Sequence, residues 1–284
     1  MGAADRNPSP AAPSRPQPAA LGIDVGGTKI AAGVVDPATG AVLERRRLPT
    51  RPERGGAAVL DDCAALAAAL AGGRLPVGIG LCELVDLDGR PSSADTIDWR
   101  GLDPVAAIDA PRVVVESDVR AAALAEARFG AGAGVSPFLH VVVGTGASAC
   151  LVVDGHPYAG GRGEALVLGA PPVELQASGP ALARAAGLER GEDVLGDPAH
   201  IPLVDAAAEA LGGVLAVLAN ALDPSLIVLG GGLGVEPAFR ERVERACRPL
   251  LAYPRTPPLP LVGSLLGPDG GVVGAALVAL SGRE

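Results

Sequence analysis

Lysine and aromatic residues are scarce in this sequence of 284 residues. Lys29 is the only lysine among 23 basic residues, and Phe, Trp and Tyr together make up 2% of the chain. Because 49% of the residues are hydrophobic, the interior must be built mainly from Ala, Val and Leu. These side chains suit buried parallel strands and closely packed helices. The length allows one large domain or two moderate ones, and we expect two lobes.

The sequence also lacks the patterns of several other protein classes. Its four cysteines, Cys63, Cys82, Cys150 and Cys247, form no CxxC pair, which argues against a zinc ribbon or a disulfide framework. The formal net charge of −9 comes without a basic run, which argues against nucleic acid and favours a small-molecule ligand. No apolar run reaches the ~18 residues of a membrane span, so we expect no membrane partner.

The first 19 residues are rich in Pro, Ala and Ser and have no apolar core of the kind found in signal peptides. We therefore predict a disordered tail at 1–19 and a cytoplasmic location.

A weak internal repeat relates two stretches of the chain. Residues 21–36 align without gaps on 139–154, with seven identities in sixteen positions. Each copy reads as a strand, a small Gly/Thr turn and a second strand, the pattern of a β-hairpin. Gene duplication and chance resemblance between Val/Gly-rich strands are both compatible with this match.

Strands and helices alternate along the rest of the chain, which indicates an α/β protein. Strands are predicted at 21–35, 41–48, 76–81, 112–116, 139–153 and 225–229, and helices at 57–73, 118–130, 179–191, 202–222 and 270–280. A boundary near 118–138 would place one hairpin in each lobe, with a cleft between them.

The glycine-rich strand ends are the first candidates for a binding site. Gly26, Gly27 and Thr28 can direct backbone N–H groups at a phosphate, Lys29 adds a positive charge, and Asp24 can hold magnesium through water. The alternative is an ordinary hairpin with a solvated lysine.

Two further glycine-rich turns resemble the first. Gly144, Thr145 and Gly146 form a second candidate phosphate turn, so that two opposed turns would straddle one triphosphate. Gly230, Gly231 and Gly232 would let a nucleotide base or ribose approach the backbone, although glycine after a strand is often only a turn.

An ordered set of motifs then resembles a known family. The segments GIDVGGTKIAAGVVD, VVVESDVRAAALAE, VVVGTG, ELQASGPAL, LDPSLIVLGGG and LLGPDGGVVGAAL are similar to those of the ROK sugar kinases. The resemblance implies a two-lobed actin-like ATPase (ribonuclease H-like) fold with a mixed sheet in each lobe and ATP with magnesium in the cleft. It implies transfer of the γ-phosphoryl group to a sugar hydroxyl. We expect lobes at 20–117 and 118–268, with 269–284 forming a helix that packs back on the first lobe.

The resemblance also assigns roles to single residues. Asp118 matches the catalytic base and Ser117 its neighbour, although either residue could instead be an ordinary helix N-cap. Glu164 and Glu174 match glutamates that contact sugar, and Asp95 lies near the position of a sugar-binding asparagine. Either glutamate could instead be a surface carboxylate.

Several family residues are replaced here, mainly on the acceptor side. Ser117 and Arg120 stand for asparagines, Val167 for a histidine, and Cys82 with Glu83 for a Pro-Gly turn. The cysteine cluster for structural zinc is absent from 165–174, so no zinc site is predicted. We therefore expect an ATP-dependent kinase of a sugar or sugar-like cyclitol. The alternative is an inactive sugar or nucleotide sensor of the same fold. Homodimers are common in the family, which leaves that assembly open here.

Overall fold

The computed structural model describes residues 19–165, 168, 176–252 and 257–281. Two five-stranded mixed sheets organise the chain, each around a central strand with one antiparallel and one parallel neighbour. The first sheet contains β1 (Ala20–Val25), β2 (Lys29–Val35), β3 (Val42–Pro49), β4 (Val77–Leu81) and β5 (Val113–Ser117), in the order β3-β2-β1-β4-β5. The second contains β6 (Phe138–Val143), β7 (Ala147–Val153), β8 (His156–Pro157), β9 (Leu226–Gly230) and β10 (Leu261–Gly263), in the order β10-β9-β6-β7-β8.

Helices connect these strands and follow the last one. They are α1 (Gly56–Leu70), α2 (Pro104–Ala107), α3 (Asp118–Phe129), α4 (Gly179–Ala186), α5 (Gly191–Val194), α6 (Ile201–Leu222), α7 (Gly231–Gly234), α8 (Pro237–Cys247) and α9 (Gly270–Ser281). The predicted α/β class with a mixed sheet in each lobe is confirmed.

The sheets and helices form five layers. Helix α1 covers the outer face of the first sheet, while α6 and α8 cover the outer face of the second. Helices α3 and α9 lie between the two sheets: Val272 and Ala276 of α9 pack on the first sheet, and Val119 and Ala123 of α3 pack on the second. The two helices therefore form a shared middle layer that holds the sheets together.

The two sheets repeat one topology, since β1 occupies the place in the first that β6 occupies in the second. This agrees with the aligned strands of the predicted repeat. The sequence alignment and the strand pairing differ in the second strand of each hairpin. Leu21 pairs with Val34, whereas Leu139 pairs with Leu151, although the alignment matches Val34 to Val152. The segment between the paired residues is therefore one residue longer in the first hairpin than in the second.

Glycine allows α9 to lie directly on the first sheet. A Cβ atom added to Gly22 of β1 would be 1.9 Å from the Val272 carbonyl oxygen, and one added to Gly78 of β4 would be 1.7 Å from that of Ala275. Any side chain at these two positions would push the helix away. The C-terminal helix, predicted at 270–280, is thus brought into backbone contact with β1 and β4.

Several elements differ from the sequence-based expectation. The helix predicted at 179–191 ends at Ala186, because Gly187 adopts a left-handed conformation (φ 69°) that terminates it, and α5 begins separately at Gly191. Helices α2, α7 and α8 and strands β8 and β10 were not predicted. Helix α6 is long and apolar enough to cross a membrane by length and composition, yet Leu211 and Leu215 on its inner face are fully buried in the core of the second sheet.

Candidate nucleotide and acceptor site

The two glycine turns meet between the lobes. Gly26–Thr28 joins β1 to β2, Gly144–Gly146 joins β6 to β7, and the Thr28 and Thr145 hydroxyl oxygens are 3.1 Å apart. Each turn is closed by its own backbone, since the Gly26 N–H donates to the Lys29 carbonyl at 3.0 Å and the Gly144 N–H to the Gly146 carbonyl at 2.9 Å. The repeat therefore produces one composite feature from two distant segments.

A cavity of about 670 Å³ opens beside these turns, within the usual size range of small-ligand sites. Most of the predicted nucleotide-binding residues line it: Asp24, Gly26, Gly27, Thr28, Lys29, Gly144, Thr145, Gly230, Gly231 and Gly232, together with the predicted base Asp118. Among the described residues predicted for the site, Gly146, Asp95, Ser117 and Glu164 do not line this cavity.

Asp24 and Lys29 form the charged centre of the turns. Asp24 ends the inward-facing row of β1, against the N-terminus of α9: a Cβ atom added to Gly271 would be 2.6 Å from its carboxylate. Burial raises the pKa of Asp24 to about 6, and the positive charge of Lys29 opposes this shift. Lys29 is exposed at the mouth of the cavity, where its ammonium can reach an anion.

Asp118 is the first residue of α3, where strand β5 delivers it into the cleft. Its Oδ1 accepts a hydrogen bond from the Val119 N–H at 2.6 Å. Burial raises the pKa of Asp118 to about 7, and Asp24 and Glu83 add to the rise, while the Val119 bond and Arg120 oppose it. A carboxyl group with this pKa can accept a proton near neutral pH. The N-cap position belongs to Ser117, whose side chain makes no capping hydrogen bond.

The loop after β4 lies next to Asp118 and is ordered by a buried glutamate. Glu83 is 3% exposed, and its carboxylate accepts hydrogen bonds from the backbone N–H groups of Asp95 (3.0 Å), Thr96 (2.7 Å) and Ile97 (2.8 Å). Glu83 thus organises the backbone of this loop, while the Asp95 side chain is exposed to solvent.

Of the two glutamates predicted to contact the acceptor, the structure describes only Glu164, which does not line the cavity. The Glu164 carboxylate is 3.0 Å from the Arg162 guanidinium, in the loop that follows β8. Glu174 lies outside the described residues, as does Val167. Ser117 is buried at 7% exposure, at the end of β5.

A largely buried polar cluster that was not predicted from the sequence, Glu126, His140 and Ser264, lines the cavity. Glu126 of α3 accepts hydrogen bonds from the Ala131 N–H at 2.8 Å, the Leu266 N–H at 3.2 Å and the Ser264 hydroxyl. His140 of β6 is 2% exposed, and neither of its ring nitrogens has a hydrogen-bond partner. Burial lowers the pKa of His140 to about 4, although Glu126 opposes that shift.

Two signals in the sequence could have located this cluster. Asp118, Ala122 and Glu126 all line the cavity and are spaced by four residues, so they share one face of α3. The repeat places His140 at the position of Gly22, on the inward side of its strand.

Asp24 and Asp118 are the carboxylates that could hold the predicted magnesium ion in the cleft. Within the described ranges, no group of three or more His, Cys, Asp or Glu side chains could hold a metal directly. Asp24 and Asp118 are near enough for the charge of Asp24 to raise the pKa of Asp118. Two carboxylates with an open cavity before them suit a magnesium ion that keeps most of its waters and binds substrate phosphates.

The chain is similar in sequence and in fold to known sugar kinases of the ROK family. The sequence profile of the ROK family matches residues 20–281. A glucokinase from Streptomyces coelicolor is 31% identical, with 91% of this chain and 96% of that protein aligned. An N-acetylgalactosamine kinase from Shewanella sp. (strain ANA-3) is 30% identical over 75% of this chain and 81% of its own length. The crystal structure of a ROK glucokinase from Streptomyces griseus, in complex with glucose and AMPPNP, superposes with a TM-score of 0.82 at 29% identity, covering 93% of this chain and 100% of that one.

Proposed function

Given that this chain belongs to the ROK family, we propose that it is an ATP-dependent phosphotransferase acting on a hydroxyl of a sugar or sugar-like cyclitol. The observation that carries the proposal is the meeting of Thr28 and Thr145 at 3.1 Å beside a cavity that also contains Asp118. Two turns and one carboxyl group are thereby gathered where a phosphoryl donor and an alcohol could meet.

The phosphates of ATP would lie against the two turns. The residues available there are the backbone N–H groups of the turns, the hydroxyls of Thr28 and Thr145, and the ammonium of Lys29, all of which suit anionic oxygens. Gly230–Gly232 present bare backbone to the same cavity beside the second turn, since a Cβ atom added to Gly144 would be 4.0 Å from the Gly232 nitrogen, and a base or ribose can approach closely there. Magnesium bound through water near Asp24 would neutralise phosphate charge.

Asp118 would act as the base. The acceptor oxygen attacks the γ-phosphorus, the bond from that phosphorus to the β–γ bridging oxygen breaks, and ADP leaves. Asp118 takes the proton of the acceptor hydroxyl as the new P–O bond forms. With a pKa of about 7, the Asp118 carboxylate is a stronger base than an ordinary aspartate and is still largely ionised above neutral pH.

Our proposal for the acceptor class rests on three residues that differ from the family's motifs. The relatives named above carry glucose and N-acetylgalactosamine in their names, so the family scaffold serves different sugars. Here Glu83, Ser117 and Arg120 change the surroundings of the acceptor, and each lost partner for a hydroxyl costs roughly 1–3 kcal/mol. We therefore propose that plain glucose is a poorer acceptor than an amino sugar or a cyclitol.

The test is ADP release with Mg-ATP and a panel of glucose, N-acetylgalactosamine, N-acetylmannosamine, amino-glucoses and cyclitols. We expect at least one acceptor to be phosphorylated, with mass spectrometry of the product as the direct readout. Heat-denatured protein and Asp118→Asn are the controls for contaminating kinases.

The same panel distinguishes the inactive sensor. Calorimetric binding of a sugar or of Mg-ATP, with no phosphorylated product from any acceptor, would overturn the kinase proposal and favour a sensor.

A further inference from the structure

Arg120 is a buried cation that joins three separate segments of the acceptor side. It lies in the first turn of α3, two residues after Asp118, and is 6% exposed. Its Nε donates to the Glu116 carboxylate at 2.7 Å and its Nη2 donates to the Val85 carbonyl at 2.7 Å. Its Nη1 donates to the carbonyl of Gly163. One guanidinium thus connects the end of β5, the loop after β4 and the loop after β8.

The two loops held by Arg120 touch through their backbones. Gly163 has a φ of +83°, and a Cβ atom added to it would be 2.3 Å from the Val85 carbonyl oxygen. At this contact the forked guanidinium of Arg120 donates one N–H to the Val85 carbonyl and one to the Gly163 carbonyl. Glu116 balances the charge, so the buried cation is paired as well as hydrogen-bonded.

These loops follow strands of different sheets, and each carries a residue predicted for the acceptor side, Asp95 in one and Glu164 in the other. The loop after β4 is ordered by Glu83, beside Asp118, and comes from the first sheet. The loop after β8 carries Glu164, one residue beyond the carbonyl that Arg120 binds, and comes from the second sheet. If the acceptor of the proposed kinase binds beside these loops, their separation limits the width of its subsite.

We propose that Arg120 is a positioning residue that clamps these loops together and sets the geometry of the acceptor subsite. This inference rests on the proposed kinase function. Because the guanidinium is buried and donates to Glu116, Val85 and Gly163, Arg120 acts through the loops and leaves recognition of the acceptor to the groups they carry. The clamp favours a compact polyol ring that fits a fixed width over one that needs the loops to separate.

The test compares Arg120→Lys with the wild-type protein. Lysine keeps the charge beside Glu116, which avoids an unpaired buried carboxylate, but its single ammonium cannot reproduce the fork to both carbonyls. Arg242→Lys is the matched control, because Arg242 pairs with Asp205 at 2.8 Å on the outer helices, away from the cleft. Steady-state kinetics would use the panel acceptor with the fastest ADP release.

For Arg120→Lys we expect the KM for the acceptor to rise roughly 10- to 100-fold, because small displacements of positioned groups have effects of this size. The KM for ATP should stay within about twofold, and Arg242→Lys should change neither constant. An unchanged acceptor KM, or an equal rise in both constants, would overturn the proposal.

Amide hydrogen exchange tests the clamp independently of turnover. We expect faster exchange at 84–91 and 158–165 in Arg120→Lys and not in Arg242→Lys. Unchanged exchange at both segments would show that Arg120 does not hold the loops. If the wild-type protein phosphorylates no acceptor, the proposed function fails, and the exchange rates still decide whether the clamp exists.

Discussion

Asp118 is the residue whose chemistry the proposed reaction depends on most directly. Replacing it with asparagine keeps the size of the side chain and an oxygen that can accept the Val119 N–H, but removes the proton acceptor. We expect Asp118→Asn to lower kcat roughly 10²- to 10⁴-fold, while binding of Mg-ATP persists. Kinetics together with calorimetric titration of AMPPNP would measure this. If the variant turned over normally, Asp118 would not be the base, and its role would be limited to stabilising the N-terminus of α3.

The raised pKa of Asp118 also predicts how stability depends on pH. Its pKa is about 7 in the folded protein against a usual 3.8, so the folded state binds the proton more tightly than the unfolded state does. The stability from this group is present at low pH and lost as the pH rises through 7.

Asparagine resembles the protonated acid at every pH. Asp118→Asn should therefore be more stable than the wild type at pH 8, by roughly 1–4 kcal/mol, and show little advantage near pH 4. Urea denaturation at both pH values is the measurement. An equal difference at the two values would show that the pKa of Asp118 is not raised.

Lys29 is exposed at the cavity mouth, so its replacement should affect binding more than folding. Lys29→Arg keeps the charge but substitutes a broad planar group for a compact ammonium between two glycine turns. We expect the KM for ATP to rise about tenfold, equivalent to about 1.4 kcal/mol, with an unchanged melting temperature. Arg46→Lys on β3, 55% exposed, is the matched reverse exchange. Unchanged kinetics for Lys29→Arg would show that Lys29 does not contact the phosphates.

The sequence was informative about residues whose chemistry depends on local backbone. The turn glycines and Lys29 could be predicted as site residues because they follow a recognisable strand end, and Asp118 because its segment resembles a ROK family motif. The roles of Glu83 and Arg120 could not, because each depends on partners ten or more residues away: Glu83 on 93–97, and Arg120 on Val85 and Gly163. Such contacts exist only once the loops of both lobes have been brought together.

At the scale of elements, the contact between α9 and the first sheet links stability to the site. Gly78→Ala would place a methyl group within 1.7 Å of the Ala275 carbonyl, so either the helix or β4 must shift. We expect a loss of roughly 2 kcal/mol or more in the free energy of unfolding. Because Gly271 of α9 also touches Asp24, affinity for Mg-ATP should fall as well.

Gly213→Ala in α6 is the control for this substitution. No other atom lies within 4 Å of a Cβ added there, so alanine should stabilise the helix by about 0.5–1 kcal/mol. Denaturant unfolding of both variants gives the comparison. If Gly78→Ala were as stable as the wild type and bound nucleotide normally, the close approach of α9 would not be a constraint.

Hydrophobic pattern and glycine position located most elements but not their ends or their least typical members. Helix α4 stops at Gly187 because a single left-handed residue ends it, whereas the pattern of apolar residues continues past that point. Strand β10 has only three residues and takes its identity from pairing with β9, which no local pattern encodes.

For the whole molecule, the middle layer makes the two lobes depend on each other. Helix α3 follows the first sheet in sequence and packs on the second, while α9 follows the second and packs on the first. Each lobe therefore completes its core with a helix that lies against the other lobe's helix. The repeat in the sequence indicated two similar sheets, but nothing in either copy encodes this exchange of helices.

This shared layer predicts a single cooperative thermal transition. Nucleotide bound between Gly26–Thr28 and Gly144–Gly146 would contact both lobes, so it should stabilise the folded molecule as a unit. At 100 times its dissociation constant, Mg-AMPPNP should add about 2.7 kcal/mol and raise the whole transition by roughly 5–10 °C. Differential scanning calorimetry with and without the nucleotide measures this, and magnesium alone is the control. Two separated transitions, of which the nucleotide moves only one, would mean that the lobes unfold independently and that the ligand binds to a single turn.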